Sequence, residues 1–420
     1  MKYHFVGDQG ISMRGLKEYL RDQGHEVSGS DLKTGGHRAG NVTPDIDVAV
    51  RTSAVSPGSP GWVEVEAAKG LGIKVIKRSE LLGEITRGKK LVAVSGMHGK
   101  TTITALAGLI MIAAGLDPTV LVGEEVPALG GVLRIGKSDW FVAEICEYDR
   151  SFLDVAPEIL ILTNIEEEHL DTYPGGLPEI KSAFIDYIKR VKSEGAIIAC
   201  ADDANIGEVI SKSSWQGRLI WYGFGSEKYR SLDAKLALPG RHNLQNALAV
   251  IALAELLKID RKAAEETISQ FRGAHRRFEL KGEYEGAPVI DDYGHHPTEI
   301  GATISALAER YPDKKKTVVF WPHQYKRIKS LLGQFAQAFS GADEVILKPI
   351  YFVPGRDERV DVSSDDLASK INEGGGKAMV MSNDDEIIRY LKKRLNEESV
   401  LLTIGIPPVY KIADTLLGLK

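Results

Sequence analysis

Gly96, Gly99, Lys100 and Thr101 stand close together in SGMHGKTT, between the apolar run LVAV and the helix-favouring ITALAGLIMIAAG. Glycines in such a strand-to-helix turn let backbone N–H groups curl around phosphate oxygens. Lys100 then reaches the outer phosphates, Thr101 offers a hydroxyl to Mg2+, and the helix N-terminus favours negative charge. Gly96, His98, Gly99, Lys100, Thr101 and Thr102 therefore read as a nucleotide-phosphate loop, although Gly96 is too close to Lys100 for the usual Gly-x-x-x-x-Gly-Lys spacing. A hard Mg2+ ion wants oxygen ligands, and Glu144 and Glu147 of FVAEICEYD follow a second apolar run. A third run ends in TNIEEEHLD, which crowds Glu166, Glu168, His169 and Asp171 into one turn.

Further groups lie downstream. His242, Asn243 and Asn246 of PGRHNLQNALA begin a helix, where they could bond an adenine edge or simply cap the helix. Arg277 in GAHRRFE could neutralise a γ-phosphate or make a surface ion pair. Asp291, Asp292, His295 and His296 form a dense titratable group in DDYGHHPTEI, and His323 and Arg327 lie in WPHQYKR.

These groups need a scaffold, and the apolar pattern supplies one. Strand and helix signals alternate through residues 1–88, and the alternation resumes twice, in segments expected at 89–272 and 273–420. That pattern predicts an α/β protein of three consecutive domains with mainly parallel sheets, the first doubly wound and the second carrying the phosphate loop. The 420 residues are ample for three cores. A net charge of −5 gives no general attraction to nucleic acid or anionic membrane, so anions must be captured locally. Cys146 and Cys200 lack ligand-like spacing and read as small buried apolar residues in a reducing cytoplasm. No apolar stretch is long enough for a signal peptide or a membrane span.

The ordered set SGMHGKTT, TNIEEEHLD, PGRHNLQNALA, RRFE, DDYGHHPTEI and PHQYKR, with HFVG and SGSD at the front, resembles the Mur ligase family along essentially the whole chain, and its alanine-adding branch above all. The resemblance implies a Rossmann-like first domain, a phosphate-loop ATPase and a Rossmann-like last domain. It also implies an ATP- and Mg2+-dependent ligase that joins L-alanine to the carboxylate of UDP-N-acetylmuramate through an acyl phosphate. Its partners would be small molecules alone, with no nucleic acid and no membrane insertion, and the chain a monomer or weak homodimer. By position, Lys100 would hold the β- and γ-phosphates, while Thr101, His169 and either Glu144 or Glu147 would form the metal sites. Asn243 and Asn246, with His242, would contact adenine; Arg277 and Asp292 would reach the nucleotide. Asp31 and Ser53 would face the UDP-sugar, and Tyr293, His295, His323 and Arg327 the amino acid. Catalysis would rest on Lys100, His169, Arg277 and His295.

The chain departs from the family pattern at several points. Asp8, Gln9 and Ser12 stand in the front turn where the branch has glycine or apolar residues, Met97 replaces a threonine, and ICEY replaces ADES. Gln324 replaces an arginine, leaving Lys326 as the nearest substitute charge, and the last strand ends TIGIPP. Phe184 occupies the register at which sister ligases carbamylate a lysine, so no carbamylated lysine is expected. These departures keep two alternatives open: a same-fold ligase with another acceptor or amino acid, such as a murein-tripeptide or archaeal cell-wall peptide ligase, and a non-catalytic nucleotide-binding relative.

Overall fold

The structure, a computed structural model, describes residues 1–353 and 357–419. They divide into two compact units, residues 1–237 with 245–271, and residues 238–244 with 272–420. The first unit carries two sheets. One contains β1 (Lys2–Val6), β2 (Glu26–Ser30), β3 (Val48–Arg51) and β4 (Lys74–Lys77), in the order β2-β1-β3-β4 and all parallel. The other contains β5 (Lys90–Ser95), β6 (Thr119–Val126), β7 (Gly131–Arg134), β8 (Trp140–Glu144), β9 (Ile159–Leu162), β10 (Ala196–Cys200) and β11 (Arg218–Tyr222). Its order is β11-β10-β9-β5-β8-β6-β7, so the phosphate-loop strand β5 lies between the strands that deliver the two acidic strings.

The second unit contains β12 (Glu279–Tyr284), β13 (Ala287–Asp292), β14 (Lys315–Phe320), β15 (Glu344–Leu347), β16 (Ala378–Val380) and β17 (Ser399–Ile404), in the order β12-β13-β17-β14-β15-β16. Successive residues on a strand point to opposite faces, and both faces are covered here. Ile290, Val318 and Leu402 enter one core with Phe320 and Phe335, while Val289, Val319 and Leu401 enter the other with Ile387 and Ile412.

The fold is the three-sheet, mainly parallel α/β architecture expected, with two antiparallel additions. β7 runs against β6, and β12 runs against β13. Both additions are edge strands, where a hairpin can be attached without disturbing the parallel crossovers.

Within the first unit the helix Ile11–Asp22 joins the two sheets. Leu121 of β6 sits so close to Gly15 that a Cβ there would lie 2.5 Å from its side chain, and Tyr19 meets Phe141 edge-on at 5.9 Å. Phe184 is fully buried against Phe152, in a wholly apolar contact. Among the described residues, no helix is long and apolar enough to cross a membrane.

Candidate active site

The loop after β5 turns at two glycines with positive φ, Gly96 at 133° and Gly99 at 82°. Their lack of a side chain is required by neighbours as well as by backbone angle. A Cβ on Gly96 would lie 2.1 Å from the Thr163 hydroxyl, and one on Gly99 2.5 Å from Asn246 Oδ1. Asn246 thus sits against this loop. Asn164, which the sequence reading quoted but did not single out, organises the loop: its Oδ1 accepts from the backbone N–H of Met97 (2.9 Å) and His98 (2.8 Å). Its amide nitrogen donates back to the His98 carbonyl at 3.2 Å. Met97, at the family's threonine position, is buried and bonded here only through its backbone.

The helix Lys100–Ala113 starts directly from this loop. Lys100 Nζ donates to the carbonyls of Gly96 (2.5 Å) and Met97 (2.9 Å) and lies 3.3 Å from Glu147 Oε2. Burial alone would depress the ammonium, but the Glu147 carboxylate more than offsets this and raises it. Glu147 is pulled upward by burial and held below the usual carboxylate range by Lys100 and His169. Both groups are therefore charged at neutral pH. Glu147 Oε1 lies 3.1 Å from His169 Nε2, and Tyr173 OH fixes the Glu147 carbonyl at 2.6 Å.

The two glutamates left unresolved by sequence take separate positions. Glu144 Oε2 accepts from the Thr101 hydroxyl at 2.7 Å and from Gly123 N–H at 3.1 Å, whereas Glu147 belongs to Lys100 and His169. One segment thus offers two carboxylates, Glu144 at the end of β8 and Glu147 three residues on, just before a turn in which Asp149 and Arg150 both adopt positive φ. Cys146 was expected to be buried; it is only part-buried, and its thiol clusters with Glu147 and His169. Burial pushes that thiol up to about 11, so it is protonated at neutral pH. Glu166 lies 3.7 Å from His98, and Asp171 accepts from Tyr148 OH at 3.1 Å. Glu168 is buried beside its neighbour, with Oε1 3.3 Å from His169 N. Thr101 with Glu144, and Glu147 with His169, are two pairs whose oxygen-bearing side chains are of the kind that Mg2+ takes. The buried hydroxyls of Ser95 and Thr163 beside the loop find no hydrogen-bond partner among the described residues. Thr102 is buried on the first helical turn.

At the first sheet, Asp8 is turned inward. It is nearly buried, pairs with Lys17, accepts from the Gln9 amide at 2.8 Å and packs on Gly29. The charge that would repel a pyrophosphate is thereby neutralised within the fold. Asp31 starts a helical turn by accepting from Lys33 N–H (3.0 Å) and also lies 3.3 Å from Gln9 N. Ser53 lies in the turn after β3.

The second unit holds the remaining predicted residues. Asp292 is a buried clamp, accepting from the N–H groups of Phe278 (2.8 Å) and Gly294 (2.7 Å), with burial raising its carboxyl and Arg277 opposing. Arg277 lies 3.7 Å from Glu299 and stacks over Tyr293 at 5.2 Å. His295 contacts Glu299 Oε2 at 3.2 Å and meets His323 edge-on at 5.3 Å. His296 is buried and caps the helix Pro297–Arg310. Arg327 donates to His323 Nε2 at 2.8 Å, so that nitrogen is the acceptor. Tyr293, His295, His323 and Arg327 thus form one continuous group.

His242 is held neutral, its pKa lowered to about 4 by burial and then by Arg277. Asn243 donates to Pro239 O at 2.7 Å, which leaves its oxygen for another donor. Lys326, read as a substitute charge, pairs instead with exposed Glu358 at 2.7 Å. Gln324 adopts φ 65° and donates its N–H to Tyr351 O. Arg276 was missed by sequence reasoning. It bonds Asp291 at 2.9 Å and the carbonyls of Gly405 and Ile406, closing the TIGIPP turn that departs from the family pattern.

Comparison with known proteins agrees with this layout. The Mur ligase family catalytic-domain model matches residues 2–90, the Mur ligase middle domain 94–232, and the Mur ligase glutamate ligase domain 276–406. The chain is 41% identical over 99% of its length, and 97% of the relative's, to UDP-N-acetylmuramate–L-alanine ligase of Caldanaerobacter subterraneus. It is 39% identical to that of Clostridium kluyveri, again over 99% of the chain and 98% of the relative. The solved UDP-N-acetylmuramate–alanine ligase of Thermotoga maritima superimposes with a TM-score of 0.81 at 26% identity, covering 100% of this chain and 98% of that one. A murein peptide ligase from Psychrobacter arcticus shares the fold at a TM-score of 0.71 and 23% identity, covering 100% of this chain and 98% of that one. The chain belongs to the Mur ligase family.

Proposed function

We propose that this chain joins L-alanine to the carboxylate of UDP-N-acetylmuramate, converting ATP to ADP and phosphate, in the synthesis of peptidoglycan precursors. The observation that carries this reading is full-length similarity to alanine-adding ligases together with an intact Lys100–Glu147–His169 phosphate-loop centre. Residues 1–88 then serve the UDP-sugar through the front turn, Asp31 and Ser53. Residues 89–272 serve ATP, and residues 273–420 serve the amino acid. ATP as co-substrate places the work in the cytoplasm, and the chain acts as a monomer or weak homodimer.

A carboxylate acylates an amine poorly, so it is first made an acyl phosphate. A carboxylate oxygen attacks the γ-phosphorus and ADP leaves. The amine then attacks the acyl carbon and loses a proton, and inorganic phosphate departs with the oxygen it took from the acid. Gly96, His98, Gly99, Thr101 and Thr102 line the phosphates, and Lys100 neutralises their charge. Thr101, Glu144, Glu147 and His169 would hold Mg2+, which when bound draws charge from the transferred phosphoryl group. His242, Asn243 and Asn246 face adenine, and Arg277 and Asp292 bear on the nucleotide. Tyr293, His295, His323 and Arg327 orient the amino acid, with Arg327 as the cation for its carboxylate.

The alternatives with another acceptor or no catalysis are not favoured. Asp8, the main departure behind them, is internally paired, and the loop lysine and its partners are retained. The test is isotopic: with 18O in the acid's carboxylate, one labelled oxygen should appear in inorganic phosphate. Product formed without label transfer would overturn the acyl-phosphate route.

A further inference from the structure

Two adjacent cations at the end of β4 behave differently. Lys77 pairs with Asp149 at 2.9 Å, whereas the guanidinium of part-buried Arg78 makes no hydrogen bond or ion pair among the described residues. Five N–H donors withdrawn from bulk water and left without acceptors are costly, and a ligand anion is the ordinary remedy.

The position of Arg78 says which anion. β4 belongs to the first sheet, and its C-terminal end shares a sheet edge with the front turn after β1, Asp31 after β2 and Ser53 after β3. In open parallel sheets that edge is the ligand edge. The helix that Arg78 begins, Arg78–Thr86, is pressed onto the segment following the acidic string. A Cβ on Gly83 would lie 2.1 Å from Asp154 O. The carboxylates whose field Arg78 feels are Glu144 and Asp154, and Glu144 is the acceptor of the Thr101 hydroxyl. Arg78 therefore belongs to the sugar sheet by its backbone and to the phosphate-loop centre by its electrostatic surroundings. Burial pulls its guanidinium down from the usual value, which marks the same lack of solvation.

We propose that Arg78 binds the reacting carboxylate of the UDP-sugar acid and holds it toward the γ-phosphate, so that it sets the preference for an acid over a neutral nucleotide sugar. This rests on the reading under Proposed function. A planar guanidinium takes a carboxylate through two parallel N–H···O bonds and retains one of those oxygens when the group becomes an acyl phosphate.

The test compares binding of UDP-N-acetylmuramate and of UDP-N-acetylglucosamine, which lacks the carboxylate, to wild type, Arg78→Met and Arg78→Lys by calorimetry. Wild type should prefer the acid by about tenfold or more. Arg78→Met should bind both sugars alike, with UDP-N-acetylglucosamine affinity unchanged within about threefold, and Arg78→Lys should fall between. In turnover assays, the KM for the acid should rise while that for ATP holds. An acid preference retained in Arg78→Met would overturn the proposal, as would equal loss of both sugars, which would mark a structural role. A wild type that binds neither sugar would overturn the substrate assignment and the role of Arg78 with it.

Discussion

Lys100 and Glu147 form a buried ion pair, Nζ to Oε2 at 3.3 Å, and the second oxygen of that carboxylate lies 3.1 Å from His169. The ammonium proposed for phosphate is thus positioned by the same side chain that contacts the histidine of the second acidic string. The proposed phosphate and metal sites would thus be coupled through one carboxylate.

Removing the lysine should therefore do two things. Lys100→Ala should abolish substrate-dependent ADP release, because the phosphates lose their principal cation. It should also destabilise the fold by about 3 kcal/mol, because the buried Glu147 carboxylate loses its ammonium partner and keeps only His169. Coupled-enzyme assay and thermal denaturation check both effects, and the double variant Lys100→Met/Glu147→Gln should recover stability but not activity.

Glu144 makes a different prediction. Glu144→Gln keeps an acceptor for the Thr101 hydroxyl but removes the charge, so the Mg2+ concentration for half-maximal activity should rise about 10- to 100-fold with little change in melting temperature. Titration of activity with Mg2+ at saturating ATP reads this directly.

The phosphate loop was legible because its strand, turn and helix signals are all local. The roles of Glu144 and Glu147 were not, because they depend on partners far along the chain, Thr101 and Gly123 for the one and Lys100 and His169 for the other. Asn164 carried only one signal, its place directly after a buried strand, and its function lies in amide geometry across 66 residues. The β6–β7 hairpin was overlooked although PALGG between apolar runs is a turn signal, and β12 was overlooked because an edge strand reading ELKGEY is polar on its open side. Asp8 looked like a defect in sequence; only the fold supplies its partner Lys17.

That pair can be tested. Asp8→Ala should leave Lys17 without its counter-charge and lower stability by about 2 kcal/mol. Because the carboxylate points inward, affinity for the UDP-sugar should change by less than about threefold, as measured by calorimetry on the folded variant.

His242 predicts an acid-side slope. Its folded pKa is lowered to about 4, against about 6.5 in an unfolded chain, so the unfolded state binds more protons between those values. The stability it contributes is complete above pH 6.5 and is lost as the pH falls toward 4. His242→Gln removes this contribution, so its melting temperature should fall less between pH 7 and pH 5 than that of wild type.

The most direct measurement is ADP release from Mg-ATP and UDP-N-acetylmuramate, compared with L-alanine, glycine, L-serine and no amino acid, with the product identified by mass. The account predicts turnover that requires both the acid and an amino acid, is fastest with L-alanine, and yields the alanyl amide of the UDP-sugar. ATP binding without alanine-dependent turnover would contradict it.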